Sequence, residues 1–214
     1  MASLNKQEQE IAKDKDSGMA KMVMQKVKEF ESFIQDWHKE AKEAYDMVAG
    51  KQWSNEDSAA LESEDRVPVV FNRIAAFIRG ICGMEVANRQ SVKFLPREIS
   101  DVGGNEVMNA ASMWVRDICN AEDEESEAFR DMIITGIGST ETRLSYEDDP
   151  EGMVYIERRD PLMVGWDTTS CKKNVQDSSW RYLYADYSRA KFEEKWPDKS
   201  DEVFMSMFPD GNEN

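Results

Sequence analysis

The chain is poor in the residues that carry most enzyme and metal chemistry: it has one histidine, His38, and three cysteines, Cys82, Cys119 and Cys171. The cysteines are odd in number and without CxxC spacing, so the sequence indicates neither a disulfide framework nor a zinc site. Reduced thiols in a cytoplasmic compartment fit this pattern, and Cys82 and Cys119 fall on apolar helical faces as small core residues. His38 follows Trp37 in a helical stretch with no cysteine or serine motif nearby, which predicts a solvated side chain on a helix face instead of a catalytic base. Walker A, GxSxG and HExxH motifs are missing. Gly136-Ile137-Gly138 is not followed by GKS or GKT and precedes a strand pattern, so it reads as a helix-to-strand joint and not as a phosphate loop. These absences predict a protein that is not an enzyme, with no catalytic residue, no metal and no cofactor. No apolar run reaches membrane-spanning length, and Gln7 to Asp14 lack the apolar segment of a signal peptide. The expectation is a chain neither exported by that route nor embedded in a membrane.

Positive charge is also scarce. Lys and Arg number 27 against 43 Asp and Glu, for a formal net charge of -16 over 214 residues. That balance argues against a general nucleic-acid binder, because neutralising phosphates takes clustered cations. It suits ordinary solubility, a surface that repels DNA as a smooth channel wall does, or an acidic interaction protein that mimics DNA charge toward a basic partner. With so many carboxylates, the proximity of any two carries little information. The run Glu122 to Glu125 reads as the start of a helix, where negative charge complements the dipole, because calcium loops alternate oxygen ligands around a glycine. A 40% apolar share, with aromatic residues at 10% of the chain, supports a folded core. Thirteen methionines read as core gap-fillers, with an adaptable contact surface as the alternative.

Residues 1–18 are polar and read as a flexible N-terminal arm. From Met19 to Val48, the residues Val23, Val27, Phe30, Ile34, Trp37, Ala41, Ala44 and Val48 are spaced alternately by four and three, which predicts an amphipathic helix ended by Gly50. Ser54 with Asp57 resembles a capping box for a short helix carrying Leu61. A helix after Gly103-Gly104 runs to about Cys119 and is expected to bury Val107, Ala110, Ala111, Trp114, Val115 and Ile118. The helix opened by the acidic run carries Phe129, Met132 and Ile133. Thr140–Tyr146 and Met153–Arg158 alternate as a hairpin around the turn residues Asp148 to Gly152, and further strands are expected at Leu162–Trp166 and Trp180–Ala185. Ser188 is placed to cap a helix to Trp196 that Pro197 stops, and Glu202–Phe208 is expected to add a turn or two. The fold class is α+β: a helical part over 19–136, a small, largely antiparallel sheet over 139–186, a C-terminal helical segment over 188–208, and a tail over 209–214.

The densest stretch is Val67 to Glu98. Pro68 forces an extended approach, and Asn72 is placed to cap a helix bearing Ile74, Phe77, Ile78, Ile81 and Cys82. Gly80 and Gly83 lie inside it, each costing about 1 kcal/mol relative to alanine. With Ala76 and Ala87 they form a small-residue stripe along which another backbone could approach, inside the subunit or across a subunit boundary. The helix exits at Asn88-Arg89-Gln90, and Val92–Leu95 is expected as a short strand stopped by Pro96. Arg66, Arg73, Arg79, Arg89, Arg97, Arg158 and Arg159 interrupt the acidity. Such arginines pair with carboxylates, either within the chain or between identical subunits.

Phe71-Asn72-Arg73-Ile74, Gly83-Met84-Glu85-Val86-Ala87-Asn88-Arg89-Gln90 and Phe94-Leu95-Pro96-Arg97-Glu98 together resemble the N-terminal part of portal proteins of P22-like short-tailed bacteriophages. Gly50-Lys51-Gln52-Trp53-Ser54 and Arg66-Val67-Pro68 upstream are similar to that family's opening. Trp114-Val115-Arg116-Asp117, Ala121 to Ser126, Thr140 to Leu144, and Asp160-Pro161 through Trp166-Asp167 follow in the family's order. The likeness covers roughly Gly50 to Pro197.

The resemblance implies a homo-oligomeric ring, usually a dodecamer, forming the head-tail connector at the unique vertex of the virion capsid. Assembly would take place in the host cytoplasm with capsid and scaffolding proteins. Double-stranded DNA would pass through the ring during packaging and ejection without sequence-specific binding, and the portal itself would not hydrolyse ATP. The resemblance also implies that these residues build the wing, while Asn72, Arg73, Gly80, Gly83, Asn88, Arg89 and Arg97, in a chain without catalytic groups, read as packing and assembly residues. Family members are several times longer, so the expectation is a fragment, a truncated frame or a shortened relative. Stem, clip and crown, with the terminase and tail-adaptor contacts, would then lie in regions not in this chain.

Overall fold

A computed structural model of the chain describes residues 6–89, 91–98, 102–146 and 149–197, with 6–17 as backbone alone. Helix α1 spans Lys6–Val48. It begins well before Met19, so the segment expected as an arm carries helical backbone from Lys6. The physical reason is composition: Lys, Glu, Gln and Ala are strong helix formers, and Gly18 alone costs only about 1 kcal/mol. The predicted stripe does face inward, with Val27, Phe30, Ile34 and Ala41 buried, whereas Val23 at its head is exposed. Gly50 adopts a left-handed conformation, φ +94°, and ends the helix region. Helix α2, Asn55–Ser63, is opened by Ser54, whose Oγ accepts the Asp57 N–H at 3.0 Å.

Helices α3, Ile74–Ala87, α4, Val102–Ile118, and α5, Ala121–Thr135, follow. α5 is the hub: it packs against α1, α3 and α4. It also supports the antiparallel hairpin of β1, Ser139–Ser145, and β2, Met153–Arg159, whose register runs from Ser139 opposite Arg159 to Ser145 opposite Met153. The joint between helix and hairpin needs glycine twice. Gly136 closes α5 at φ +85°, and a Cβ at Gly138 would lie 2.2 Å from the Ala128 carbonyl oxygen.

β3, Val164–Trp166, and β4, Arg181–Leu183, form a second two-stranded sheet, so the expected sheet is two separate ribbons. Phe30 of α1 anchors it, meeting Trp166 and Tyr182 edge-on at 5.0 and 5.7 Å between ring centres. The Tyr182 ring lies across Gly165, where a Cβ would come within 2.2 Å of it. The intervening loop is organised by two carboxylates. Asp167 accepts the Thr169 N–H at 3.0 Å, and Asp177 accepts the Cys171 N–H at 2.8 Å.

Val92–Leu95 is not a strand. The backbone of Phe94 pairs instead with a side chain: its N–H donates to Asn109 Oδ1 at 2.8 Å, and its carbonyl accepts from Asn109 Nδ2 at 3.1 Å. An extended segment needs partners for its backbone, and an α4 amide supplies them where no neighbouring strand does.

The chain divides into two compact units, Met1–Tyr182 and Leu183–Asn214. In the second, helix α6 spans Arg189–Lys195, and Tyr187 and Phe192 pack on Trp196 at 5.4 and 4.8 Å. Ser188 holds the N-cap position with extended backbone, but its side chain makes no capping hydrogen bond. The expected turn at Glu202–Phe208 and the tail at 209–214 lie outside the described residues.

Candidate assembly surface

The head of α3 is built by Asn72. Its Oδ1 accepts the Ala75 N–H at 3.2 Å, while its Nδ2 donates to the Val48 carbonyl at 2.7 Å. One amide therefore satisfies an orphan donor at the start of α3 and an orphan acceptor at the end of α1. Arg73, immediately before the helix, is already helical and makes no capping hydrogen bond, so the cap acts from one residue upstream. At the tail, Asn88 donates from its backbone to Glu85 O and from Nδ2 to Met84 O at 2.7 Å. Arg89 then reaches the first turn of α5, pairing with Glu122 at 2.8 Å and Asp123 at 3.4 Å and donating to Ser126 Oγ at 2.8 Å.

The rest of the acidic run is also engaged. Glu124 accepts the Arg158 backbone N–H at 2.6 Å, and Glu125 holds Arg116 through two bonds of 2.7 Å. The Arg116 guanidinium lowers the Glu125 carboxyl below the usual range. Deeper in, the Asp131 carboxylate is only 3% exposed. It accepts the Tyr45 hydroxyl at 2.8 Å and the Arg158 Nη2 at 2.9 Å, with Arg158 Nε as a third donor. Burial, reinforced by the bond to Asp131, pushes the Tyr45 phenol up, so it stays protonated. Arg159 pairs with Glu141 and Glu157, each at 2.7 Å. These contacts tie α1, α3, α4, α5 and the hairpin together.

His38 is only partly solvated. It is half-buried against Trp37, its Nε2 is shielded without a hydrogen-bond partner, and burial lowers its pKa from 6.5. Among the described residues, no group of three or more His, Cys, Asp or Glu is placed to hold a metal ion. No described helix is long and apolar enough to cross a membrane.

Two helix faces are open. On α3, Ile78 is buried and Cys82 and Glu85 half-buried, while Ala76, Phe77, Gly80, Gly83, Met84 and Ala87 are exposed. Among the described residues, a Cβ at Gly80 or Gly83 would meet no atom within 4 Å beyond its own helix. α4 is inverted relative to expectation. Asn105, Asn109, Ser112 and Arg116 occupy its sheltered face, while Val107 and Trp114 are 68% and 62% exposed. Of the apolar residues expected in a core, Val115 is half-buried while Val107, Ala110, Ala111, Trp114 and Ile118 lie outside, because Asn109 and Arg116 find specific partners on the inner side.

A family described as phage P22-like portal protein matches residues 24–214. The chain belongs to this portal family. No curated protein matches it. The portal family is one of structural phage proteins.

Within this portal chain, the seven residues singled out from the sequence separate into three groups. Asn72, Asn88 and Arg89 bind other parts of the same subunit. Gly80 and Gly83 line an open helix face. Arg73 and Arg97 are exposed and form no ion pair among the described residues. Sequence reasoning missed the Tyr45–Asp131–Arg158 cluster, for which one carboxylate among 43 acidic residues offered no signal. It also missed the inversion of α4, whose signal was legible: Asn105, Asn109, Ser112 and Arg116 recur at helical spacing.

Proposed function

We propose that the chain is a structural subunit of the phage portal ring, the head-tail connector at the unique capsid vertex through which double-stranded DNA is packaged and ejected. The observation that carries this reading is the family match across residues 24–214. The net charge of -16 supports it, since an acidic wall lets a polyanion pass without holding it. In this reading the described α+β body is wing-like, and twelve copies close the ring. Capsid and scaffolding proteins contact the wing, while terminase and tail adaptor engage other parts of the portal. The subunit contributes shape and docking, not catalysis.

The test is assembly. The protein, expressed with whatever flanking sequence its reading frame carries, is examined by sedimentation velocity and negative-stain microscopy. Rings with a central channel are the expected result. A persistent monomer at high concentration, with no ring in the virion, would overturn the proposal.

A further inference from the structure

We infer that the open faces of α3 and α4 are the two halves of one contact between copies of this chain, α3 of one subunit against α4 of the next. The inference rests on the portal-ring reading and names the surface through which neighbouring subunits meet.

The inverted packing of α4 is the main support. Its polar stripe is committed inward, where Asn109 braces Phe94 and Arg116 holds Glu125. Its apolar stripe is largely open within the subunit: Val107 and Trp114 are 68% and 62% exposed and Ile118 40%, with Val115 half-buried at its edge. An aromatic of this size left in water marks an interaction site when it belongs to a contiguous patch, and Val107, Ala110, Ala111, Trp114 and Ile118 are contiguous on a helix.

The α3 face offers the complementary shape. Phe77 and Met84 stand exposed beside Gly80 and Gly83, where, among the described residues, no atom lies within 4 Å of a Cβ built on either glycine. The result is a hollow bordered by apolar side chains, suited to a helix bearing bulky ones.

Charge decides which face meets which. Lys93 and Arg97 are exposed on the segment that Asn109 holds to α4; on the helices themselves the exposed charges are Arg73 and Arg79 at α3 and Glu106 and Asp117 on α4. None of these last four forms an ion pair among the described residues, whereas Arg89, Arg116, Arg158 and Arg159 all do. An α3–α3 or α4–α4 contact would set like charges together. An α3–α4 contact pairs opposite charges and matches hollow to knob. Two different patches can meet head to tail, and such a heterologous contact, repeated with a rotation that closes, builds a ring.

The experiment uses the full portal protein in a Cys171→Ser background. Gly80→Cys and Ala111→Cys, at the centres of the two faces, are placed in separate copies, mixed and oxidised. The expected product is a disulfide between the two variants and none between copies of the same variant. A chain carrying both should give a ladder ending at the ring. In parallel, Arg73→Glu with Arg79→Glu, or Glu106→Arg with Asp117→Arg, should raise the concentration needed for assembly by about tenfold or more. All four changes together should restore it, which a merely structural role would not do. Circular dichroism melting confirms that each variant folds. Rings that form without the cross-link, and in which both charge variants assemble normally, would overturn this contact while leaving the portal reading standing. A disulfide within one monomer carrying both Gly80→Cys and Ala111→Cys would overturn it in favour of cover by the same chain. A chain that never assembles would overturn both.

Discussion

At the scale of the residue, Asp131 is the most consequential side chain within the fold. It is a buried carboxylate that joins Tyr45 of α1 to Arg158 of β2. Asp131→Ala orphans the guanidinium and the phenol together. The expected loss in urea unfolding is about 2 kcal/mol, below the full cost of an orphaned buried charge because Arg158 stays a third open to water. His38 provides a pH signature. Burial, aided by the nearby Lys42 charge, lowers its pKa from 6.5 in the folded chain. The unfolded chain therefore takes up the proton first, so stability is complete above about pH 6.5 and declines as pH falls below it. Melting temperatures should fall from about pH 7 to about pH 5.5, and less so in His38→Gln. At still lower pH the carboxylates with lowered pKa, Glu125 and Asp167, lose their own contribution as they protonate.

At the scale of the element, α1 and α3 show how much periodicity can reveal. The four-and-three spacing placed Val27, Phe30, Ile34 and Ala41 in the core, where they are found. The same logic failed on α4, because apolar periodicity identifies a face without saying what covers it. α3 is intermediate: its start at Asn72 and its glycines were legible, but the direction in which the glycines face was not. Since Gly80 and Gly83 border open space, Gly80→Ala and Gly83→Ala should each stabilise the isolated subunit by about 0.5–1 kcal/mol in thermal unfolding. A loss of stability would mean that the face is filled inside the subunit. Gly138→Ala is the contrasting case, since its Cβ would strike the Ala128 carbonyl.

At the scale of the whole molecule, charge and connectivity govern behaviour. Arg89 and Arg116 pair with the acidic start of α5, Arg158 with Asp131, and Arg159 with Glu141 and Glu157, so these guanidinium charges are neutralised inside the subunit. Electrophoretic mobility shift at about 0.15 M salt should show no retention of double-stranded DNA, because phosphate binding needs clustered free cations. Tight retention would contradict a channel that lets DNA slide. The hub position of α5 also means that α1, α3, α4 and the hairpin are held by one helix, so unfolding of Met1–Tyr182 is expected to be cooperative.

The sequence by itself determined the helix-then-hairpin order, the stripe of α1, the turns at Gly136 and Gly152 and the membership in a portal family, because these depend on local backbone chemistry and on ordered motifs. Only the tertiary structure decided where each face points. Whether Arg89 serves its own subunit, whether Asn109 replaces a strand for Phe94, and whether Trp114 is core or surface depend on partners far along the chain. Hydrophobic burial and charge pairing carry no direction in a one-dimensional pattern, and they acquire one only when α5 brings those partners within a few ångströms.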